Sequence, residues 1–219
     1  MKRTLQSMPF GLILALSGGV MDAYSYLFRG GVFANAQTGN ILLFSVNLAQ
    51  GNLPAVLRYL LPIAAFSLGV FVSYFLQNRG KKRGTSVWRW GIPLGNAVLL
   101  SATAFLPATL DNVACAVISL TCGAQLVTFR KVSGIHVATT MCIGNLQNTV
   151  RCLTAYGFTK ERSALREAGV YAAIIAAFAV GAVATGLLLP VFGTYTVCIG
   201  GVMSLIAAVW AATVKEETV

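Results

Sequence analysis

Two polar segments that contain glycine interrupt an otherwise apolar chain of 219 residues. Residues 33–40 read Phe-Ala-Asn-Ala-Gln-Thr-Gly-Asn, and residues 137–145 read Val-Ala-Thr-Thr-Met-Cys-Ile-Gly-Asn. Their amides and hydroxyls donate and accept hydrogen bonds without net charge, which suits a site for a small solute at mid-depth in a bilayer. The residues predicted to bind the solute are Asn35, Gln37, Thr38, Gly39, Asn40, Gln125, Thr139, Thr140, Gly144, Asn145 and Gln147.

The same amides and hydroxyls have a second interpretation, in which they only cap broken helices and tie membrane spans together. Gly39 and Gly144 would allow a positive φ or a close approach of two backbones. If Asn40 and Asn145 follow sharp turns, the residues after them begin short helices whose free N–H groups favour an anion or a carbonyl. Solute binding is the leading hypothesis, because polar groups inside membranes are usually functional.

Asp22 is the acidic residue of the sequence that lies well inside a predicted membrane span. A carboxylate there is costly unless it is paired, hydrogen-bonded or protonated. Its candidate partners are Arg29, two helical turns further on, and Arg130, near the end of the related segment. Two interpretations stay open: coupling to a proton or cation, and a structural ion pair near the membrane surface. Gln125 holds roughly the corresponding place in the second half, where an amide would replace the charge.

The composition predicts an integral membrane protein, because a chain with 57% hydrophobic and 10% charged residues cannot cover itself with polar side chains. A formal net charge of +10 would suggest nucleic acid in a soluble domain. Here the basic residues cluster between apolar segments, as in cytoplasmic loops, so we expect no nucleic-acid partner. The five cysteines lie in or beside apolar segments and predict small buried side chains, with no metal site and no cofactor.

Six apolar segments are long enough to cross a bilayer, at about 20 residues per span. They are residues 8–28, 55–77, 90–106, 112–129, 168–192 and 195–213. Two further segments, residues 35–49 and 137–156, are shorter or more polar and contain the two polar motifs. Whether these two segments cross the membrane decides the topology.

The distribution of lysine and arginine distinguishes the alternatives, because cytoplasmic loops accumulate positive charge. If both polar segments cross, half of the 16 basic residues face outward and the rule carries no information. If both return to the side from which they entered, only Arg29 and Arg58 face outward. This asymmetry predicts six full transmembrane helices plus two re-entrant or broken helices, with both termini cytoplasmic. A seven-span arrangement stays open if only one polar segment crosses.

Similar flanks around the two polar segments indicate a duplicated chain. Gly-Gly at residues 18–19 precedes the first polar segment, and Cys-Gly at residues 122–123 precedes the second. Downstream, Ala-Phe-Ser-Leu-Gly at residues 65–69 is echoed by Ala-Phe-Ala-Val-Gly at residues 177–181. The chain is therefore predicted to hold two related halves.

An odd number of spans in each half forces the second half to enter from the opposite face. The predicted fold class is an all-α integral membrane protein arranged as two inverted repeats. One membrane domain covers residues 1–219, with the first repeat at 1–107 and the second at 108–219.

Transport of a small molecule is the function that this pattern favours, with a site at the membrane midplane. A membrane scaffold or accessory subunit without transport is the main alternative. An intramembrane enzyme is disfavoured, because no serine or cysteine stands in a recognisable pattern with a base, so no catalytic residue is assigned. The expected partners are membrane lipid and an unidentified solute. Small residues on the spans would serve internal packing or a homo-oligomer interface.

The motifs resemble those of the YoaK-like family of bacterial inner-membrane proteins. The resemblance rests on Gly-Gly-Val-Met-Asp-Ala at residues 18–23, on residues 33–40, and on the stretch from Gly123-Ala124-Gln125 to residues 138–140. It spans nearly the whole chain, and both motifs are specific to that family. It implies a six-span protein of the plasma membrane and a small-molecule transporter, but it supplies no substrate.

Overall fold

The fold is a bundle of α-helices, seen here in a computed structural model that describes residues 5–214. Eight α-helices lie within these residues. They are α1 (Met8–Phe28), α2 (Gln37–Ala49), α3 (Leu53–Lys82), α4 (Trp88–Thr103), α5 (Asp111–Thr128), α6 (Ile143–Thr159), α7 (Arg162–Phe192) and α8 (Cys198–Thr213). Short 3₁₀ helices at Ala108–Leu110 and Gly193–Val197 lead into α5 and α8.

Each of the six predicted apolar segments overlaps one helix, and each polar motif leads into one of the two remaining helices, α2 and α6. A small antiparallel hairpin between α5 and α6 was not predicted from the sequence. Its strands are β1 (Lys131–Val132) and β2 (Ile135–His136). The turn between them needs Gly134, whose φ of 80° is in the left-handed region.

Four helical stretches within residues 5–214 are long and apolar enough to cross a membrane. They are Met8–Phe28, Leu53–Lys82, Ala108–Thr128 and Arg162–Thr213, the last of which combines α7 and α8. These findings support the prediction of a helical membrane protein, while the count of six full spans stays a prediction.

Helices α1 and α5 form the centre of the bundle and run antiparallel. The end of α1 meets the start of α5, where Arg29 binds Asp111 at 2.9 Å. The start of α1 meets the end of α5, where the backbone N–H of Ser133 donates to the carbonyl of Gln6. In the most apolar 18-residue stretch of each span, 61% of the α1 residues are buried and 56% of the residues in the span that contains α5. The corresponding share in α3 is 17%, which places α3 at the periphery.

Each central helix packs against one long outer helix through a matched pair of glycine contacts. A Cβ added at any of four glycines would overlap a backbone carbonyl of the neighbouring helix. The contacts join Gly19 to Phe178 and Gly181 to Leu16 between α1 and α7, and Gly123 to Phe66 and Gly69 to Leu120 between α5 and α3. The α1–α7 and α3–α5 pairs are therefore built in the same way.

The bundle has two ends, which we call the Arg29 end and the hairpin end. After α1, Gly30 and Gly31 adopt φ values of 89° and 73° and turn the chain back toward the middle of α1. The chain then returns through α2 to the start of α3, where Arg58 lines the same cavity as Arg29 and Asp111. The first polar segment thus enters and leaves at the Arg29 end.

The second polar segment does the same at the opposite end of the bundle. It leaves the hairpin, reaches the middle of α1, and continues into α6. Cys152 of α6 and Ala168 of α7 then pack in one apolar cluster with Val132 of the hairpin. The chain has therefore returned to the hairpin end where α7 begins.

Candidate functional site

The first polar segment is held by the side-chain amide of Asn40 in the first turn of α2. Its Nδ2 donates to the carbonyl of Phe33 at 2.6 Å and to Oε1 of Gln37 at 3.0 Å. Its Oδ1 accepts from the backbone N–H of Phe33 at 3.2 Å, and Nε2 of Gln37 donates to the carbonyl of Ala34 at 2.8 Å. These bonds satisfy the backbone of a non-helical loop that would otherwise be buried without partners.

The second polar segment is held in the same way by Asn145 in the first turn of α6. Its Nδ2 donates to the carbonyls of Ala138 at 2.7 Å and Met141 at 3.0 Å, and its Oδ1 accepts from the N–H of Ala138 at 3.3 Å. Asn40 and Asn145 are both buried, and the N–H groups of both side chains are already used. These two residues fix the loops and have no N–H group left to offer a solute.

Asp22 lies beside the first polar segment, on the side of α1 that faces it. Its carboxylate accepts the backbone N–H of Asn35 at 2.7 Å and adjoins the backbone N–H groups of Ala34 and Ala36. The side chain is half-buried. Backbone amides therefore take the place of the basic side chain that we expected as its partner.

Neither of the two candidate partners, Arg29 and Arg130, pairs with Asp22. Arg29 binds Asp111, and the guanidinium of Arg130 lies 5.5 Å from the centroid of the Tyr74 ring. Sequence reasoning missed Asp111 as the partner. The available signal was its position at the start of a span, next to the outer connection and at the same membrane face as Arg29.

Arg29 joins the end of α1 to its neighbours at the Arg29 end. It is only 2% exposed. Its Nε donates to the hydroxyl of Tyr24, its Nη2 to the carbonyl of Thr103, and its Nη1 to Asp111 and to the carbonyl of Leu106. Every nitrogen of the guanidinium is used, so this charge has a structural role.

The two polar segments meet at Gly18, in the middle of α1. Nδ2 of Asn35 donates to the carbonyl of Gly18 at 3.1 Å. A Cβ added to Gly18 would lie 3.0 Å from the carbonyl oxygen of Thr139 and 3.3 Å from Cα of Thr140. Glycine favours this close approach, because a Cβ at this position would require the second segment to shift by a few tenths of an ångström.

The three residues of the polar segments that contact Gly18 each carry one side-chain atom that has no hydrogen-bond partner within residues 5–214. These atoms are Oδ1 of Asn35 and the hydroxyls of Thr139 and Thr140. Each of the three residues is 1% exposed. A buried polar atom without a partner costs about 1–3 kcal/mol, so three of them call for an occupant such as water or a ligand.

Cys142 follows these threonines and lies within electrostatic range of Asp22. The thiol is half-buried. The second polar segment therefore comes close to Asp22 of the first half of the chain.

The remaining predicted residues do not join this cluster. Gln125 is buried, but its Nε2 donates to the carbonyl of Leu14 at 2.9 Å. The matched contacts of Gly19 and Gly123 pair Gln125 with Met21, one residue from the expected equivalence with Asp22. Exposed positions are held by Thr38, Gly144 and Gln147, while Gly39 packs against the ring of Phe33.

A cavity of about 180 Å³ lies at the Arg29 end. It is lined by Arg29, Gly30, Arg58, Ala108, Thr109, Asp111 and Asn112. Arg29 is seven residues from Asp22, which is about 10 Å along a helix. This cavity is therefore separate from the polar cluster at Gly18.

Apolar helices that enclose a cluster of unpaired polar atoms define a polytopic membrane protein with a polar centre. The chain belongs to the family described as "Protein of unknown function (DUF1275)", whose model matches residues 10–210. It is 25% identical over 194 residues to the UPF0700 transmembrane protein YoaK of Bacillus subtilis (strain 168), covering 82% of this chain and 83% of that protein. No solved structure matches the chain. The resemblance inferred from the motifs is thus confirmed.

Proposed function

We propose that this protein transports a small solute across the membrane, through a site that Asp22, Asn35, Thr139 and Thr140 form between the two polar segments. One observation carries the proposal. Asn35, Thr139 and Thr140 approach Gly18 from the two segments, and each carries a buried polar atom without a partner among the described residues. Native proteins rarely leave such atoms unsatisfied, so these side chains are suited to bind something that comes and goes.

The proposed topology has six full transmembrane helices, formed by α1, α3, α4, α5, α7 and α8, and two re-entrant elements that contain α2 and α6. It is supported by the path of each polar segment, which reaches Gly18 and returns to the end from which it came. Non-helical backbone is tolerated at membrane depth where protein surrounds it. Residues 33–36 and 138–142 meet this condition against α1.

The proposed relation between residues 1–107 and 108–219 is that of inverted repeats within one domain. Their first helices, α1 and α5, run antiparallel, and the α1–α7 contacts match the α5–α3 contacts. The loop-fixing bonds of Asn40 and Asn145 also match, each reaching a residue seven positions earlier in the chain. Inverted repeats commonly place a transport site where the two halves meet.

The proposed orientation puts the hairpin end in the cytoplasm of a bacterium, with the protein in the inner membrane. Arg130 and Lys131 are at this end, whereas Arg29 and Arg58 are at the other, which agrees with the positive-inside rule. The start of α1 and the end of α8 also meet at the hairpin end, where the rings of Phe10 and Trp210 are 5.9 Å apart. Both termini are accordingly proposed to be cytoplasmic, although residues 1–4 and 215–219 lie outside the described part.

The scaffold alternative accounts for part of the site. Asn40 and Asn145 have a structural role, because their hydrogen bonds fix the loops of their own segments. A structural role does not account for the unpartnered atoms of Asn35, Thr139 and Thr140. We propose no catalytic role for the site, since its two hydroxyls have no base as a hydrogen-bond partner among the residues described.

Substituting the two unpartnered threonines by valine tests the proposal. A Thr139→Val/Thr140→Val variant removes polar atoms that have no protein partner, so the variant should fold and unfold at the same temperature or a higher one. Transport should nevertheless fall by about tenfold or more, because solute loses buried hydrogen bonds. Proteoliposomes would be tested by stopped-flow light scattering with glycerol, urea, glycine and methylammonium chloride.

The matched control is Thr185→Val, which changes a buried threonine whose hydroxyl is satisfied by the carbonyl of Gly181. This variant should keep full transport. A second readout is the labelling of Cys142 by a water-soluble methanethiosulfonate, in a chain with Cys198→Ala. The proposal fails if no solute crosses faster than through protein-free liposomes and Cys142 also resists labelling.

A further inference from the structure

We infer that the central site binds a positively charged ligand through oxygen atoms, either Na⁺ or the primary ammonium group of a solute. The inference rests on the proposed function and gives the chemical class of what the site holds. Two observations support it: the unpartnered atoms of the site are oxygens, and the nearby charged group is the carboxylate of Asp22.

Oxygen atoms make up the free part of the site. Nδ2 of Asn35 is committed to the carbonyl of Gly18, which fixes the orientation of the amide and leaves Oδ1 free. The other two free atoms are the hydroxyls of Thr139 and Thr140. Amide, hydroxyl and carboxylate oxygens are the ligands of hard cations, and they are also acceptors for the three N–H groups of an ammonium.

The charge of the site is negative. The carboxylate of Asp22 has backbone N–H groups as its partners, and no basic side chain within residues 5–214 lies close enough to balance its charge. The nearest arginine along the chain, Arg29, is held by Asp111. A carboxylate inside a membrane protein without a balancing charge favours a cation and disfavours an anion.

The geometry allows Asp22 to contribute. A carboxylate has two oxygens with about four acceptor positions, and the three backbone N–H groups of residues 34–36 leave one position open. Its half-buried side chain keeps part of its surface accessible, while Asn35, Thr139 and Thr140 are buried. The carboxylate would therefore supply the charge, and the buried oxygens would supply selectivity.

Thermal unfolding of the purified full-length protein in detergent tests the inference. The melting temperature would be followed against NaCl and against methylammonium chloride, with tetramethylammonium chloride keeping the ionic strength constant. Tetramethylammonium carries the same charge as methylammonium but has no N–H group, so it serves as the control for charge alone. A ligand that binds the folded state raises the melting temperature with a saturating dependence on its concentration.

The expected result is a saturating rise of several degrees with Na⁺, with methylammonium, or with both. A rise with Na⁺ alone identifies a coupling ion, a rise with methylammonium alone identifies an amine solute, and both outcomes support the inference. In Thr139→Val/Thr140→Val the apparent affinity should fall by about tenfold or more, because buried oxygen partners are lost. Thr185→Val should keep the rise.

Asp22→Asn should abolish the rise, but its amide would face the N–H groups of residues 34–36 and this variant is prone to misfolding. The threonine variants therefore carry the test. The inference is overturned if neither cation raises the melting temperature, or if the rise is unchanged in the double valine variant. If a solute crosses the membrane but no cation raises the melting temperature, the proposed transport is supported and the cation site is rejected. If a cation raises the melting temperature but no solute crosses, the cation site is supported and transport is rejected.

Discussion

Side chains of the same chemical type serve two different purposes in the polar segments. The amides of Asn40 and Asn145 are saturated by the loops that they fix, whereas the amide oxygen of Asn35 is free. The distinction depends on whether a backbone group lies within about 3 Å of the side chain, which is the reach of a hydrogen bond. Stability is therefore expected to depend on the first pair, and binding on Asn35.

Asn40→Ala should strongly destabilise the protein. The substitution removes a buried amide and leaves the part-buried N–H and carbonyl of Phe33 without their side-chain partner, at a cost of about 1 kcal/mol or more for each group. The measurement is the melting temperature in detergent, which should drop by several degrees. Asn47→Ala, on the same helix, is the control, because Asn47 is half-buried and its side chain bonds only the carbonyl of Leu43 and Nδ2 of the exposed Asn52. Equal melting temperatures for the two variants would contradict a loop-fixing role.

Helices α1 and α5 approach their outer partners closely because glycine occupies each crossing point. With no Cβ in the way, the carbonyl of one helix lies against Cα of the next, and weak C–H···O contacts and dispersion hold the pair. The α1–α7 crossing therefore helps to fix the position of α1, the helix that both polar segments contact at Gly18.

Gly19→Ala and Gly123→Ala should each destabilise the protein by a similar amount. The added methyl group of either variant would overlap a backbone carbonyl, so the two helices must separate, at a cost of about 1–3 kcal/mol. Gly186→Ala on α7 is the matched control, because nothing lies within 4 Å of its added Cβ. Unfolding in detergent would be compared for the three variants. A melting temperature for Gly19→Ala equal to that of Gly186→Ala would argue against a close crossing.

The whole molecule is organised by the return of each polar segment to its own end of the bundle. That path brings two segments from opposite ends together at Gly18, although more than 100 residues separate them along the chain. In transporters with inverted repeats, the site commonly lies near the midplane where elements of the two halves meet.

Cysteine labelling in intact cells checks this path. In a chain with Cys142→Ala and Cys198→Ala, a membrane-impermeant maleimide should label Gln50→Cys and Thr109→Cys, which lie toward the Arg29 end. It should label Lys131→Cys and Lys160→Cys only after the membrane is permeabilised, because the basic hairpin end is cytoplasmic. All four positions are exposed. If Lys131→Cys and Lys160→Cys react on opposite sides, α6 crosses the membrane and the re-entrant topology is wrong.

Much of the architecture could be predicted from the sequence, because it depends on local composition. Apolar runs of sufficient length must leave water and must satisfy their own backbone, so they form helices at the predicted places. The glycines at positions 19, 69, 123 and 181 were visible as parts of repeated flanks. The two polar motifs were visible as interruptions, since such groups are uncommon within apolar runs.

The tertiary structure alone decided which polar residue does what. Asp22 was matched with an arginine by charge, but the folded chain gives it the backbone amides of residues 34–36 and gives Arg29 to Asp111. Hydrogen bonding depends on separations of a few tenths of an ångström between residues that are distant in sequence, and residue types do not specify such separations. Composition therefore determined a helical membrane protein with two polar breaks, and packing determined which of their atoms remained free.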